Sequence, residues 1–317
     1  MISRRQLRIK ALQTLYAYYK SGSEEMSRSE KELHFNIDKA YSLYHYLLLL
    51  IIDVVLYAES RIELARNKRI PTKEDLDPNT RFIDNRLVEQ IRNNTQLLRY
   101  VEQQKLNWAN YPELIRELYK HLVVDEEYLN YMSSETNTYA DDKRIITHIY
   151  THLIFSSELL ASILEEQSIY WNDDLEFITS MIVKTFRKFR EEDGPDKELM
   201  QLYKNQEDRE YVIRLFRLSI LNREEYVEYI KQNTRNWDLE RIAFMDILIM
   251  QMAIAELIGF PSIPTKVTLN EYLEISKFYS TSKSNVFING VLDKVVMQLK
   301  EEGKVVKSGR GLIGENE

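Results

Sequence analysis

Of the residue spacings in this chain, the one that most resembles a metal site is that of two histidines on one helical face. His148 and His152 lie four residues apart, which places both imidazoles on one side of a helix, where they could bind zinc. The intervening residues are Ile149, Tyr150 and Thr151, and none is the glutamate that a metalloprotease pair needs. We therefore favour two packed or surface histidines, and we predict no metal site and no cofactor.

Other residue sets that could support catalysis are weak. The acidic pairs at 165–166 and 173–174 have no partner motif and are typical of solvated helix faces. The chain has no cysteine, and its eight glycines are too scattered for a phosphate-binding loop. No Ser, His and Asp set can be assembled from the sequence. We therefore predict that the chain is not an enzyme.

The N-terminal segment suggests a different chemistry, the binding of phosphate. Residues 1–20 contain five Lys or Arg side chains, Arg4, Arg5 and Arg8 among them, and no acidic residue, whereas the whole chain has a formal net charge of −7. A basic helix on an acidic protein can hold phosphates locally, while the remaining negative surface suppresses indiscriminate binding. An ordinary solvated helix face remains the alternative.

A second candidate site precedes the last predicted helix. Lys283 and Ser284 lie where free backbone N–H groups and the positive end of the helix dipole would face a phosphate. Phe287, in the first turn, could stack on an unpaired base, which contributes about 1–3 kcal/mol. From these residues alone we favour the alternative in which Phe287 is core and Ser284 is a cap. Gly290 costs the helix about 1 kcal/mol relative to alanine, which predicts close packing against another helix.

The elements that position these residues are predicted to be helices. Only eight glycines and six prolines occur in 317 residues, so turns must be few and elements long. We predict an all-α fold with helices near 3–20, 29–67 (with one break), 81–122 (interrupted near 111–112), 141–167, 174–192, 207–221, 223–233, 239–258, 269–279 and 284–302. The helix at 239–258 is apolar around its whole circumference, which predicts a buried central helix.

The positions of glycine and proline suggest a division of the chain into two parts. Gly194-Pro195 marks a boundary between residues 1–195, which contain the basic first helix, and residues 196–303. Residues 304–317 are glycine-rich and predicted to be mobile. The strongest apolar run is far shorter than the roughly 20 residues of a membrane span, and the N-terminus lacks the apolar core of a signal peptide. These features predict a cytoplasmic protein with no membrane association.

Two separated blocks of the sequence, one at each end of the chain, resemble the NusB family. Residues 264–279 read PTKVTLNEYLEISKFY and residues 287–294 read FINGVLDK, which is similar to the end of that family. Residues 237–257 are similar to its central helix. The pattern R-R-x-x-R-x-x-A-x-x-x-L-Y from Arg4 to Tyr16 is similar to its basic first helix.

The resemblance implies a protein of two helical bundles that acts in transcription antitermination, notably on ribosomal RNA operons. Such proteins bind boxA-type single-stranded RNA together with NusE, a ribosomal protein of the small subunit, and join the antitermination complex of RNA polymerase. The resemblance implies RNA contacts by Arg4, Arg5, Arg8, Lys283, Ser284 and Phe287. It places Tyr16 and Asp246 at the NusE contact.

The chain departs from the family in length. Well over a hundred extra residues separate the first helix from the central one, and we expect them to enlarge the N-terminal bundle with additional helices. Ile247 and Gln251 occupy positions that are commonly basic in the family, which suggests that the extra region covers this surface.

Two other functions compete with antitermination. RNA cytosine methyltransferases carry a NusB-like domain, but they need a catalytic cysteine that this chain lacks. A protein–protein interaction scaffold that has kept the NusB fold without RNA binding remains the open alternative.

Overall fold

A computed structural model describes residues 2–22, 25–234 and 242–314, and its regular structure within these ranges is entirely helical. This confirms the predicted all-α fold. The α-helices in chain order are α1 (Arg4–Lys20), α2 (Met26–Arg66), α3 (Lys73–Leu76), α4 (Arg86–Arg92), α5 (Thr95–Gln104), α6 (Pro112–Leu122), α7 (Glu126–Ser133), α8 (Tyr139–His148), α9 (Glu158–Gln167), α10 (Leu175–Lys188), α11 (Gln206–Leu221), α12 (Arg223–Asn233), α13 (Phe244–Gly259), α14 (Thr265–Tyr279) and α15 (Ser282–Glu301).

The helices form two compact units whose limits differ from those of the two predicted bundles. The terminal unit combines residues 1–37 with residues 203–317, and the inserted unit consists of residues 38–202. The first helix accounts for the difference. Instead of joining the residues up to 195, α1 packs against α11, α13 and α14, and Leu7, Ala11 and Leu15 on its apolar face are fully buried.

Helix α13 is the centre of the terminal unit, as its apolar circumference predicts. It packs against α1, α11, α12, α14 and α15, and its residues from Leu248 to Leu257 are all buried. The predicted start of this helix, at 239–241, lies outside the described residues. A helix that is apolar on every side is stable only when neighbours cover it all round, and five helices do so here.

The tail predicted to be mobile is bonded to the terminal unit over residues 304–314. The ammonium group of Lys304 lies 2.7 Å from a carboxylate oxygen of Glu225, and the backbone N–H of Ser308 donates to the carbonyl of Pro261 at 3.0 Å. Gly311 is buried against the same carbonyl, where an added Cβ would lie only 1.9 Å from the oxygen. Glycine is therefore required at this close approach.

Helix α2 is continuous over its 41 residues, so the predicted break in it was wrong. Its sequence contains neither glycine nor proline, the residues that most often interrupt a helix. In spite of this length, none of the described helices pairs sufficient length with the apolarity that crossing a membrane requires.

The inserted unit builds a core of its own from the helices between α2 and α11. The predicted helix at 141–167 divides into α8, a π-helical turn at Ile149–Ile154 and α9. Within that turn, Tyr150 is fully buried; its hydroxyl donates to the carbonyl of Leu47 at 2.6 Å, and its ring meets that of Phe186 at 5.2 Å. The extra residues are therefore helical, as expected.

A buried carboxylate joins α4, α7 and α8 in the inserted unit. Asp142 accepts hydrogen bonds from Arg86 and from the Tyr131 hydroxyl, both at 2.7 Å. The amide of Asn85 donates to the backbone carbonyl of Asp142 at 3.2 Å. Because buried polar groups must be satisfied, this network fixes how the three helices approach one another.

The inserted unit is expected to depend on the buried face of α2. Leu48 is fully buried, so Leu48→Ala should lower the free energy of unfolding by about 2–5 kcal/mol through lost burial and a cavity. Leu64, on the same helix, is 62% exposed, and Leu64→Ala should change the free energy of unfolding by less than about 0.5 kcal/mol. Urea unfolding followed by circular dichroism measures both, and equal effects would contradict the described packing.

Candidate nucleic-acid interface

Arg8, predicted to contact RNA phosphate, is buried in an ion pair. Its guanidinium donates to the two carboxylate oxygens of Glu256 on α13 at 2.7 and 2.8 Å, and only 3% of its side chain is exposed. The guanidinium also lies over the rings of Tyr211 and Tyr272, at 5.6 and 5.8 Å from their centres. As a correction to the predicted phosphate contact, Arg8 joins α1 to the centre of the terminal unit and presents no guanidinium to solvent.

Glu256 is held as a carboxylate by the groups around it. The hydroxyl of Tyr211 donates to it, as do those of Thr268 at 2.9 Å and Tyr272 at 3.3 Å. Burial alone would raise the pKa of Glu256, but attraction to Arg8 and these hydrogen bonds outweigh it, so the pKa lies below its usual value. The network requires one residue or more from each of α1, α11, α13 and α14.

Arg4 and Arg5 are closer to solvent, and both are paired with carboxylates. Arg4 contacts Glu207 and Asp208 at 2.6 and 2.7 Å, with 30% of its side chain exposed. Arg5 makes two parallel hydrogen bonds to Glu271, at 2.8 and 2.9 Å, with 47% exposed. An RNA phosphate would therefore have to compete with carboxylates for these guanidinium groups.

Helices α1 and α14 run side by side in the same direction. Arg5 at the beginning of α1 contacts Glu271 in the middle of α14, and Gln13 in the middle of α1 donates to the Tyr279 hydroxyl at the end of α14 at 3.1 Å. Eight residues along α1 span about 12 Å at 1.5 Å per residue. The arginine end of this helix pair is thus about 12 Å from the end at which the chain leaves α14 and enters α15.

The predicted site at the start of α15 lies at that second end. Helix α15 begins at Ser282, so Lys283 and Ser284 belong to its first turn and Phe287 to its second. Lys283 is exposed and forms no ion pair with any described residue. Ser284 bonds to the capping hydroxyl of Thr281 at 2.9 Å, and Phe287 is half-buried.

The two residues predicted to contact NusE lie near the same end of α14. The ring of Tyr16, which is 38% exposed, meets that of Phe244 at 5.9 Å between centres. Asp246, in the first turn of α13, accepts a hydrogen bond from Ser280, the residue after α14. Asp246 is only 3% exposed, so Tyr16 is the accessible member of the pair.

Two smaller predictions are corrected by the surroundings of Gly290 and Gln251. A Cβ added to Gly290 would meet no atom of another described helix within 4 Å, so the predicted close helix packing was wrong. Gln251 is fully buried, and its amide donates to the Tyr19 hydroxyl at 3.1 Å and to the carbonyl of Ser219. These partners belong to the terminal unit, so the terminal unit itself accounts for a neutral side chain at this position.

The two histidines with metal-like spacing make ordinary contacts. A ring nitrogen of His148 lies 3.0 Å from a carboxylate oxygen of Asp125, and the His148 and His152 rings stack with centres 4.4 Å apart. Across the described parts of the chain, no three metal-ligating side chains come together in a group that could hold an ion.

The residues that the sequence analysis missed are the carboxylates that pair with the arginines. Glu256 stands between Ala255 and Leu257 in a helix that is otherwise almost wholly apolar. A charged residue there had to be buried, and a buried charge requires a partner, so the signal was present. Glu271 and Asp208 carried no comparable signal, because acidic residues on amphipathic helices are common.

The comparisons with known proteins agree with the resemblance in the sequence. The NusB family model matches residues 175–297, which include α10 to α14 and most of α15. A protein of Salinibacter ruber named transcription antitermination protein NusB is 42% identical over 106 residues, 33% of this chain and 66% of that protein. Proteins of the same name are 38% identical over 105 residues in Chloroherpeton thalassium and 42% identical over 74 residues in Natranaerobius thermophilus.

The similarity is partial on both sides. The match to the Chloroherpeton thalassium protein covers 33% of this chain and 50% of that protein. The match to the Natranaerobius thermophilus protein covers 23% of this chain and 53% of that protein. No solved structure matches the chain significantly.

Removing Arg8 is expected to destabilise the fold. Arg8→Met leaves Glu256 buried without its cation and should lower the free energy of unfolding at neutral pH by about 3–5 kcal/mol. Arg5→Met removes a largely exposed pair and should cost less than about 1 kcal/mol.

The loss of stability caused by Arg8→Met should depend on pH. The native ion pair lowers the pKa of Glu256, so its contribution is present above the unfolded pKa and is lost as pH falls through the folded pKa. The unpaired Glu256 of the variant takes up a proton instead. The difference in the free energy of unfolding between wild type and Arg8→Met, which we call the gap, should therefore narrow from pH 7.5 to pH 4. Urea titrations at both pH values measure the gap, and a gap that widens on acidification contradicts this role for Glu256.

Proposed function

We propose that this chain, which carries a NusB family domain at residues 175–297, is a transcription antitermination factor. In this proposal it binds boxA-type single-stranded RNA together with the ribosomal protein NusE, acts in ribosomal RNA transcription and has no catalytic role. The observation that carries the proposal is the 38–42% identity to three proteins named transcription antitermination protein NusB.

The geometry favours the start of α15 as the principal RNA contact. Lys283 is exposed and free of ion pairs with described residues, so it can meet a phosphate without breaking a bond. It lies beside Ser284 and one turn before Phe287, a combination of cation, hydroxyl and aromatic ring that suits unpaired RNA. Arg4 and Arg5 then form a second contact, about 12 Å away along α1, that requires exchange of their carboxylate partners.

The RNA contact is tested by fluorescence anisotropy with a labelled boxA-like RNA and a scrambled control, each with and without NusE. Wild type should bind the boxA-like RNA selectively, and more tightly with NusE. Loss of one phosphate contact in Lys283→Ala should reduce the slope of log affinity against log salt by about 0.7. Lys294→Ala removes the same charge from an exposed position on the same helix and should leave affinity and slope unchanged.

One alternative function has a specific observation in its favour. Arg4, Arg5 and Arg8 are all engaged by carboxylates, as expected of a scaffold that has kept the NusB fold without binding RNA. If wild type shows no selective RNA binding with or without NusE, the antitermination proposal fails and the scaffold is supported.

The NusE contact is tested separately at Tyr16. Tyr16→Ala removes an exposed ring and its contact with Phe244, and it should weaken NusE binding by about fivefold or more, as for a residue that contributes at least 1 kcal/mol at an interface. Tyr16→Phe retains the ring and should bind within about twofold of wild type. Calorimetric titration with purified NusE measures both; an unchanged affinity for Tyr16→Ala excludes this surface.

A further inference from the structure

A cleft in the inserted unit contains an acidic side chain that the proposed function does not use. Leu49, Asp53 and Tyr57 lie four residues apart on one face of α2, and they form one side of a cleft of about 410 Å³. The opposite side comes from the chain between α5 and α6 and from α6 itself, including Trp108 and Ile115. We call this feature the Asp53 cleft.

Asp53 has no partner in its own unit. All of residues 38–202 are described, and the Asp53 carboxylate forms no hydrogen bond or ion pair with a described residue. Arg116 also lines the cleft, but it is exposed and its guanidinium donates to the carbonyl of Pro112 on its own helix at 3.2 Å. A half-buried carboxylate without a partner costs stability, and no hydrogen bond or ion pair within the inserted unit offsets this cost.

Two aromatic side chains, Tyr57 and Trp108, line the cleft, and both are rigidly held. Trp108 stacks on Tyr46 with ring centres 3.7 Å apart, and its indole N–H donates to the backbone carbonyl of Tyr46 at 2.9 Å. The Tyr46 hydroxyl in turn donates to the carbonyl of Asn107 at 3.1 Å. Tyr57 meets Tyr119 at 5.3 Å. Aromatic faces carry negative charge density and attract cations, so these two rings and the Asp53 carboxylate favour the same ligand charge.

We propose that the Asp53 cleft binds a primary alkylammonium group on an aliphatic stem. The ammonium pairs with the Asp53 carboxylate, and the stem lies against Leu49, Tyr57 and Trp108. A lysine side chain of a polypeptide and a free aliphatic amine share this chemistry. The site lies outside residues 175–297, so it is independent of the family domain.

The protonation state of Asp53 supplies a further test. Burial raises the pKa of Asp53 to about 6, so the carboxylate is charged at pH 7.5 and largely protonated at pH 5.0. The other titratable groups near it are Tyr46 and Tyr57 on α2 and Arg116 on α6. Neither tyrosine nor arginine side chains change charge in this pH range. Ammonium binding should therefore weaken on acidification.

The experiment follows the indole N–H signal of Trp108 by NMR, in full-length protein, during titration with n-butylammonium. The signal should shift saturably at pH 7.5, and uncharged n-butanol should bind at least about tenfold more weakly, the ratio that 1.4 kcal/mol of charge pairing gives. A peptide with one lysine, acetyl-Ala-Lys-Ala-amide, is titrated in parallel. Tighter binding of the peptide than of n-butylammonium identifies a polypeptide as the source of the alkylammonium group, and weaker binding identifies a free amine.

Asp53→Asn should lose about tenfold or more in n-butylammonium affinity and should no longer respond to pH between 5.0 and 7.5. Glu63→Gln removes a charge from an exposed position on the same helix and should bind like wild type. Because the ionised Asp53 is desolvated in the fold, Asp53→Asn should be at least as stable as wild type at pH 7.5, with a smaller gain at pH 5.0, so a folding defect is not expected. Equal binding of n-butanol, undiminished binding by Asp53→Asn, or equal losses in both variants would overturn the proposal.

Discussion

The terminal unit is organised around one buried carboxylate. An ionised glutamate in a protein interior is tolerated only when a cation and several hydrogen bonds replace its water, and Glu256 obtains these from Arg8, Tyr211, Thr268 and Tyr272. These partners belong to α1, α11 and α14, so one side chain on α13 requires three neighbouring helices to be present in a single arrangement. Apolar packing alone would hold the same helices with less precise register.

This requirement changes the meaning of the basic first helix. A cluster of arginines without neighbouring acids in sequence suggests a surface that attracts any polyanion, yet each of the three is paired in the fold. A surface whose guanidinium groups are already neutralised attracts nucleic acid weakly at long range. In the proposed function, discrimination among RNAs would then come from short-range contacts, such as stacking and hydrogen bonds to unpaired bases, which suits a protein whose net charge is −7.

The sequence predicted the helical class, most helix positions and the buried central helix, because scarcity of glycine and proline and apolar periodicity are local properties. It did not predict that α1 belongs with α11 to α15, because the pairing of Arg8 with Glu256 joins residues 248 positions apart. At the candidate site, sequence could single out Arg8 and Lys283 by residue type, but only the fold distinguishes a buried, paired cation from an exposed, unpaired one. For Gly290 the local cost of glycine was visible, whereas the open space around it was not.

The discontinuous terminal unit has a consequence for how the chain becomes folded during synthesis. Translation proceeds at about 5–20 residues per second, so α1 leaves the ribosome roughly 12–50 s before α13, whose Glu256 lies 248 positions after Arg8. Over that interval the inserted unit can complete its own core, while the apolar face of α1 has no α11, α13 or α14 to cover it. Helix α1 is therefore among the last to reach its native surroundings, and the nascent chain exposes Leu7, Ala11 and Leu15 to chaperones for most of that time.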